Sequence, residues 1–314
     1  MILLIFVLLI FSIFAYFKIA DCYNIIDKPN ERSSHKYITL RGGGIIFYIG
    51  ALLYFLFYDF SYPLFALGLT LIAIISFADD IKTVNSKVRI LIHFLAMLLM
   101  FYDCGLYSLP WFFTFAALIV STGIINSYNF MDGINGITGG YSLVVMVSFW
   151  YINNNITPFI DNNIVYTISL SLLVFNFFNF RKRAKCFAGD VGSVSIAFII
   201  VFLLGKLIVQ TQDLTYIIIL LVYGVDSILT IVHRIVLKEN IFVAHRKHLY
   251  QIMSNELEIP HIYVSLIYIA AQLIIMIGYF VLKVFSVLYF FISVTIFIII
   301  YLSFMHKYFK LLSK

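Results

Sequence analysis

Eleven apolar runs follow one another along the chain, most of them close to the ~20 residues a helix needs to cross a bilayer, with short polar breaks between them. They cover about 1–20, 43–58, 62–78, 90–103, 110–126, 138–152, 163–180, 188–208, 214–233, 260–282 and 284–305. In hydrocarbon every backbone N–H and C=O must be satisfied within the segment, so runs of this kind form helices. A membrane β-barrel would instead show alternating segments of about 10 residues, and none is present. Only 11% of the 314 residues are charged and 63% are hydrophobic, whereas soluble domains carry about 25% charge. The expectation is an all-α integral membrane protein: one polytopic domain over residues 1–314, a bundle of about 10–11 transmembrane helices.

The first run has no Lys or Arg before Lys18, which disfavours a cleavable signal peptide and suits a span whose N-terminus lies outside. Threading from there gives cytoplasmic connections near 21–42, 79–89, 127–137, 181–187 and 234–259, and a cytoplasmic C-terminus. Of the 21 Lys and Arg residues, all but Lys206 and Lys283 then fall on the cytoplasmic side, as the positive-inside rule requires. The net charge of +6 is thus accounted for by topology, and no nucleic-acid partner is expected. Cys22, Cys104 and Cys186 fit no disulfide or zinc spacing.

Polar chemistry concentrates on that same side. The first loop, Asp27-Lys-Pro-Asn-Glu-Arg-Ser-Ser-His-Lys36, leads into Arg41-Gly-Gly-Gly44 at a helix start, which reads either as an anion cradle or as a charged juxtamembrane loop. Asp79 and Asp80 end the third run, with Arg89 soon after; adjacent carboxylates beside a bilayer suit Mg²⁺ bridging to phosphates, or one base beside one ligand. Asn126, Asn129 and Asp132 recur every three residues, and Asn135 and several glycines follow. Asp190 is bracketed by glycines where the eighth span begins. Arg181-Lys-Arg-Ala-Lys185 reads as a positive-inside anchor. Asp226, inside the ninth run, is either a structural partner or a site residue. In Ala244-His-Arg-Lys-His-Leu-Tyr-Gln251, His245, Arg246 and His248 lack further zinc ligands nearby and suit diphosphate recognition better.

These motifs, in this order from Asp27 to Gln251, resemble the polyprenyl-phosphate N-acetylhexosamine-1-phosphate transferases. That family includes the enzymes that begin O-antigen, enterobacterial common antigen and teichoic acid synthesis, and the phospho-MurNAc-pentapeptide translocase. The form His-Arg-x-His-x-Tyr-Gln looks most like the O-antigen-initiating branch, which handles GlcNAc or 6-deoxy-HexNAc sugars. The resemblance implies transfer of a sugar 1-phosphate from a UDP-N-acetylhexosamine to undecaprenyl phosphate, by direct attack in preference to a covalent intermediate, with UMP released. It implies Mg²⁺, with Mn²⁺ as a substitute, at Asp190 and Asp80. Asp79, Asp80 and Asp132 would be the catalytic residues, and Arg41, Gly43, Arg89, Asn126, Asn129, Asn135, His245, Arg246 and His248 would bind substrate.

The expected location is the bacterial inner membrane, with the site on the cytoplasmic face and a second copy of the chain as a further candidate partner. Two positions depart from the family pattern. Thr83 stands where many members have a charged residue, and Asn135 stands where many have an aspartate, which argues against a metal role there. The competing readings are a lipid or solute transporter, which would place ionisable residues along a path at mid-membrane, and an inactive assembly scaffold.

Overall fold

The computed structural model describes residues 1–29, 34, 37–240 and 245–309. Arg32, His35 and Lys36 of the first polar loop, Ala244 of the basic loop, and Lys310 and Lys314 lie outside the described residues. Long helices stand at every apolar run: α1 (Ile2–Cys22), α2 (Ile45–Phe57), α3 (Pro63–Ile81), α4 (Ser86–Cys104), α5 (Trp111–Met131), α6 (Ile137–Asn155), α7 (Asn162–Asn179), α8 (Gly189–Thr211), α9 (Leu221–Val236), α10 (His261–Val281) and α11 (Ser286–Tyr308). Among the described residues, seven helical units are long and apolar enough to cross a bilayer on those two properties alone. Of the rest, α2 has 13 residues, a rise of about 20 Å, and α4, α6 and α7 have polar ends that include Lys87, Asn153 and Asn162. The all-α expectation needs one small amendment. Ile26–Asp27 (β1) pairs antiparallel with Thr39–Leu40 (β2) across the base of the first loop.

The bundle is built around α8. Its apolar residues cover the whole circumference, which marks a helix enclosed on all sides. Of its apolar stretch 83% is buried, against 11% for the stretch containing α11, so α8 is the axis and α11 is peripheral. Around it pack α2, α3, α4, α5 and α6. The tightest approach is between the starts of α2 and α8. Gly43 N–H donates to the Phe187 carbonyl at 2.8 Å and Gly44 N–H to Ala188 at 3.0 Å. A Cβ on Gly44 would run into the Gly192 backbone, so glycine at both places lets the two chains touch.

The ninth apolar run differs from a simple span. It starts as a 3₁₀ helix over Leu214–Leu220 and becomes α-helical at Leu221. The buried Gln272 amide of α10 causes the change: its Oε1 accepts from Val222 N–H at 3.2 Å and its Nε2 donates to the Ile218 carbonyl at 3.0 Å. One side chain thus stands in for a ladder bond, as at other helix irregularities with an inserted side chain. The two basic residues that threading left on the far side are also explained. Lys206 lies over the Tyr62 ring at 5.2 Å, and Lys283 lies over Tyr216 at 4.2 Å.

Gly44→Ala should lower the melting temperature in detergent, because its Cβ has no room, whereas Gly123→Ala, at a helix-interior site with nothing within 4 Å, should gain about 0.5–1 kcal/mol. Differential scanning fluorimetry distinguishes them, and equal shifts would contradict the close approach of α2 and α8.

Candidate active site

The structure gathers the carboxylates of α3 and α8 at one end of the bundle. Asp79 and Asp80 fall in the last turn of α3, immediately beyond the apolar run, and Asp190 in the first turn of α8. The Asp80 side chain is fully enclosed. Its Oδ1 accepts from Asp190 N–H at 2.9 Å and its Oδ2 from Val191 N–H at 3.0 Å. These are the free donors of a helix N-terminus, so Asp80 caps α8 from another helix and meets the positive end of its dipole. Arg41 Nε, 2.7 Å from Oδ1, supplies the balancing charge that a buried carboxylate requires.

Glycine makes that reach feasible. Gly189 has φ +71, and a Cβ there would come within 2.6 Å of Asp80 Oδ2 and 2.8 Å of Gly42 N. Arg41 is presented by β2 and held by its own N–H on the Ile25 carbonyl at 3.0 Å, while its carbonyl accepts from Tyr16 Oη. Burial works against the Arg41 charge, but Asp80, Asp190 and Asp27 outweigh it and hold its pKa above the usual value.

Asp79 and Asp190 interact side chain to side chain and share the Arg89 guanidinium, while Arg41 joins Asp190 to Asp80. Asp79 Oδ1 accepts from Val84 N–H at 2.6 Å, and Arg89 Nη1 lies 2.5 Å from Asp79 Oδ2 and 3.6 Å from Asp190 Oδ2. Arg41 Nη2 lies 3.4 Å from Asp190 Oδ1. Arginines at this spot can donate to phosphate oxygens as readily as to carboxylates.

Asp132 closes α5 beside this cluster. Burial pushes its carboxyl up to about 7, and the nearby charges of Asp190 and Asp80 act in the same direction. Asn126 is exposed and Asn129 half-buried on the preceding turns of α5. Asn135 is placed differently. It is buried, and its amide donates to the carbonyls of Arg181 at 2.9 Å and Lys182 at 3.3 Å, tying the α7–α8 loop to α6.

The basic loop docks on the same end of α5. Tyr250 Oη donates to the Phe130 carbonyl at 2.7 Å, and a Cβ on Gly133 would collide with that hydroxyl. His245 is half-buried, its ring 6.3 Å from Phe130. His248 is buried and faces Asp226 at 3.4 Å. Asp226 also accepts from Leu249 N–H at 3.0 Å and Tyr268 Oη at 2.6 Å, which resolves its two sequence readings in favour of a structural partner.

One contributor escaped the sequence reading. Buried Asn179, at the end of α7, accepts from Gly136 N–H at 2.7 Å and donates to the Cys186 carbonyl at 2.9 Å, joining the two glycine-rich stretches. A lone amide closing an apolar run was the available signal.

Residues 62–208 match the profile of glycosyl transferase family 4, a segment holding Asp79, Asp80, Arg89, Asp132 and Asp190. The chain is 26% identical over 260 residues to a probable undecaprenyl-phosphate N-acetylglucosaminyl 1-phosphate transferase of Bacillus subtilis, covering 74% of this chain and 70% of that one. It is 28% identical over 206 residues to the undecaprenyl-phosphate alpha-N-acetylglucosaminyl 1-phosphate transferase of Yersinia pestis, covering 60% and 56%. The protein of the same name from Escherichia coli O157:H7 is 28% identical over 223 residues, covering 64% and 60%. With its motifs in family order and its carboxylate cluster inside the matched segment, the chain resembles glycosyl transferase family 4 over residues 62–208.

Proposed function

We propose that the chain transfers an N-acetylhexosamine 1-phosphate from a UDP-N-acetylhexosamine to undecaprenyl phosphate, as the first membrane step of a cell-surface polysaccharide. The names of its relatives support the phosphosugar-transferase reaction. The observation that carries the reading is the opposed pair Asp79 and Asp190, bridged by Arg89, with Arg41 on the Asp190 side. The distribution of Lys and Arg supports a site on the cytoplasmic face of the membrane.

In this reading an oxygen of the lipid phosphate bonds to the phosphorus that carries the sugar. The bond from that phosphorus to the bridging oxygen breaks, and UMP leaves with that oxygen. A phosphomonoester whose second pKa is about 6 is largely ionised at pH 7, so the attack needs no strong base. Arg41 and Arg89 can turn their donors to the phosphates and offset the charge that builds there. Asp79 is engaged by Val84 N–H and Arg89, which favours direct attack by the lipid over a covalent aspartyl intermediate.

The residues present fit Mg²⁺. Asp79 and Asp190 offer hard oxygen ligands, and among the described residues no three His, Cys, Asp or Glu side chains converge to hold a metal alone. An incomplete protein set suits Mg²⁺, which draws its remaining ligands from diphosphate oxygens and water. Asp190 and Asp79 would hold it, Asp79 by giving up its contact with the part-exposed Arg89, whereas the Asp80 oxygens serve the α8 backbone and Arg41. When bound, the ion neutralises diphosphate charge. The structure does not favour the transporter reading, since Asp226, inside the ninth run, is enclosed by bonded partners.

Purified protein given Mg²⁺, undecaprenyl phosphate and a panel of UDP-HexNAc donors should release UMP. Folded protein that releases none from any donor would end this proposal. Asp190→Asn and Asp79→Asn should each lower turnover by about 10²–10³-fold or more with expression intact; a wild-type rate removes that residue from the site.

A second expectation concerns pH. The folded pKa of Asp132, about 7, lies above its ordinary 3.8, so the stability linked to its proton is complete below pH 3.8 and lost as pH rises through 7. The wild-type melting temperature should therefore carry a downward component between pH 4 and 7 that Asp132→Asn lacks. Identical slopes in the two proteins would show that Asp132 is not held protonated.

A further inference from the structure

The basic loop carries two histidines three residues apart, and the fold treats them differently. His245 is half-buried beside Phe130, whereas His248 is 2% exposed, with Nδ1 3.4 Å from Asp226 Oδ1. Asp226 lies 22 residues earlier in the chain, in the second turn of α9, and is itself 4% exposed. A buried carboxylate in a membrane bundle is costly unless every oxygen is engaged. Here Oδ1 accepts from Leu249 N–H at 3.0 Å and Thr230 Oγ1 at 3.2 Å, and Oδ2 accepts from Tyr268 Oη at 2.6 Å. Three elements thus converge on one side chain: α9, α10 and the loop.

We infer that Asp226 is a positioning residue that pins the His245–Gln251 loop at His248 and Leu249, so that His245 and Arg246, and not His248, are the loop residues offered to the diphosphate of the donor. The inference deepens the transferase reading and rests on it for the identity of the ligand. Two further contacts hold the loop. Tyr250 reaches the Phe130 carbonyl, and Glu239 joins Lys247 to Arg234. The Glu239 contacts are part-exposed and of the kind that contributes little. Asp226 is the enclosed anchor, and it binds the backbone of the loop directly.

A loop that must be ordered before it can receive its ligand binds more weakly in proportion to the fraction that is ordered. Asp226→Asn replaces one acceptor oxygen with a donor, and Tyr268→Phe removes one bond while leaving the ring in place. Both variants should raise the donor KM about tenfold with kcat within about twofold, because a saturating donor restores the ordered loop. A merely misfolded fraction would lower kcat at constant KM. Double-mutant analysis of Asp226→Asn with His248→Asn should give strongly non-additive KM changes, since both remove the same pin.

Hydrogen–deuterium exchange of the full-length protein in detergent supplies a readout free of any assumption about the reaction. The peptide containing Leu249 and Tyr250 should exchange at least tenfold faster in Asp226→Asn and Tyr268→Phe than in wild type. Unchanged exchange in both variants overturns the pin, whatever the enzyme assay shows. Faster exchange with an unchanged donor KM, or additive effects of the Asp226 and His248 changes, overturns the assignment of His248 to positioning. If wild-type protein releases no UMP from any donor, the transferase reading fails while the exchange data still decide the pin.

Discussion

The carboxylate of Asp80 is the contact on which the rest of the site depends. A fully enclosed charge at the membrane end of α3 persists only because two backbone N–H groups of α8 and the Arg41 guanidinium complete its bonding. The same bonds fix the first turn of α8 against α3 and bring Arg41 over from the first loop. They therefore set where Asp190 and Asp79 meet. A helix start capped by a side chain from a different helix also accounts for the glycines at 42, 44, 189 and 192, since the backbones must lie in contact for the cap to reach.

A division of labour among the acidic groups follows. Asp80 organises and has no oxygen left over. Asp79 and Asp190 are opposed and accompanied by two arginines, an arrangement of mobile positive charge around hard ligands that suits a diphosphate. Asp132 sits to one side, where burial holds its proton near neutrality. Asp226 is remote in role, engaged with Tyr268 and the basic loop. Carboxylates of one residue type thus differ through their surroundings, not their chemistry.

Much of this was legible in the chain. Helix existence followed from apolar run length, because it is a local property of each segment. The collection of Asp79, Asp132, Asp190 and the basic loop at one end followed from threading alone. What stayed hidden depends on partners far apart in sequence. Nothing local in Asn135 announced that its amide nitrogen would reach the Arg181 and Lys182 carbonyls. Gln272 gave no hint that it would replace a ladder bond between Ile218 and Val222. Lys283 weakened the threading because nothing local announced that Tyr216 and Tyr279 would stack beneath its charge.

The central proposal is that Asp79, Asp190, Arg41 and Arg89 form one diphosphate site completed by a divalent cation. Calorimetric titration of UDP-N-acetylglucosamine and related UDP-HexNAc donors into the detergent-purified protein tests it most directly, with Mg²⁺ present and with EDTA. The account predicts saturable binding of at least one donor with Mg²⁺, a loss of at least about tenfold in affinity under EDTA, and the same loss in Asp190→Asn with Mg²⁺ present. Equal donor affinity with and without the cation in wild type would contradict it.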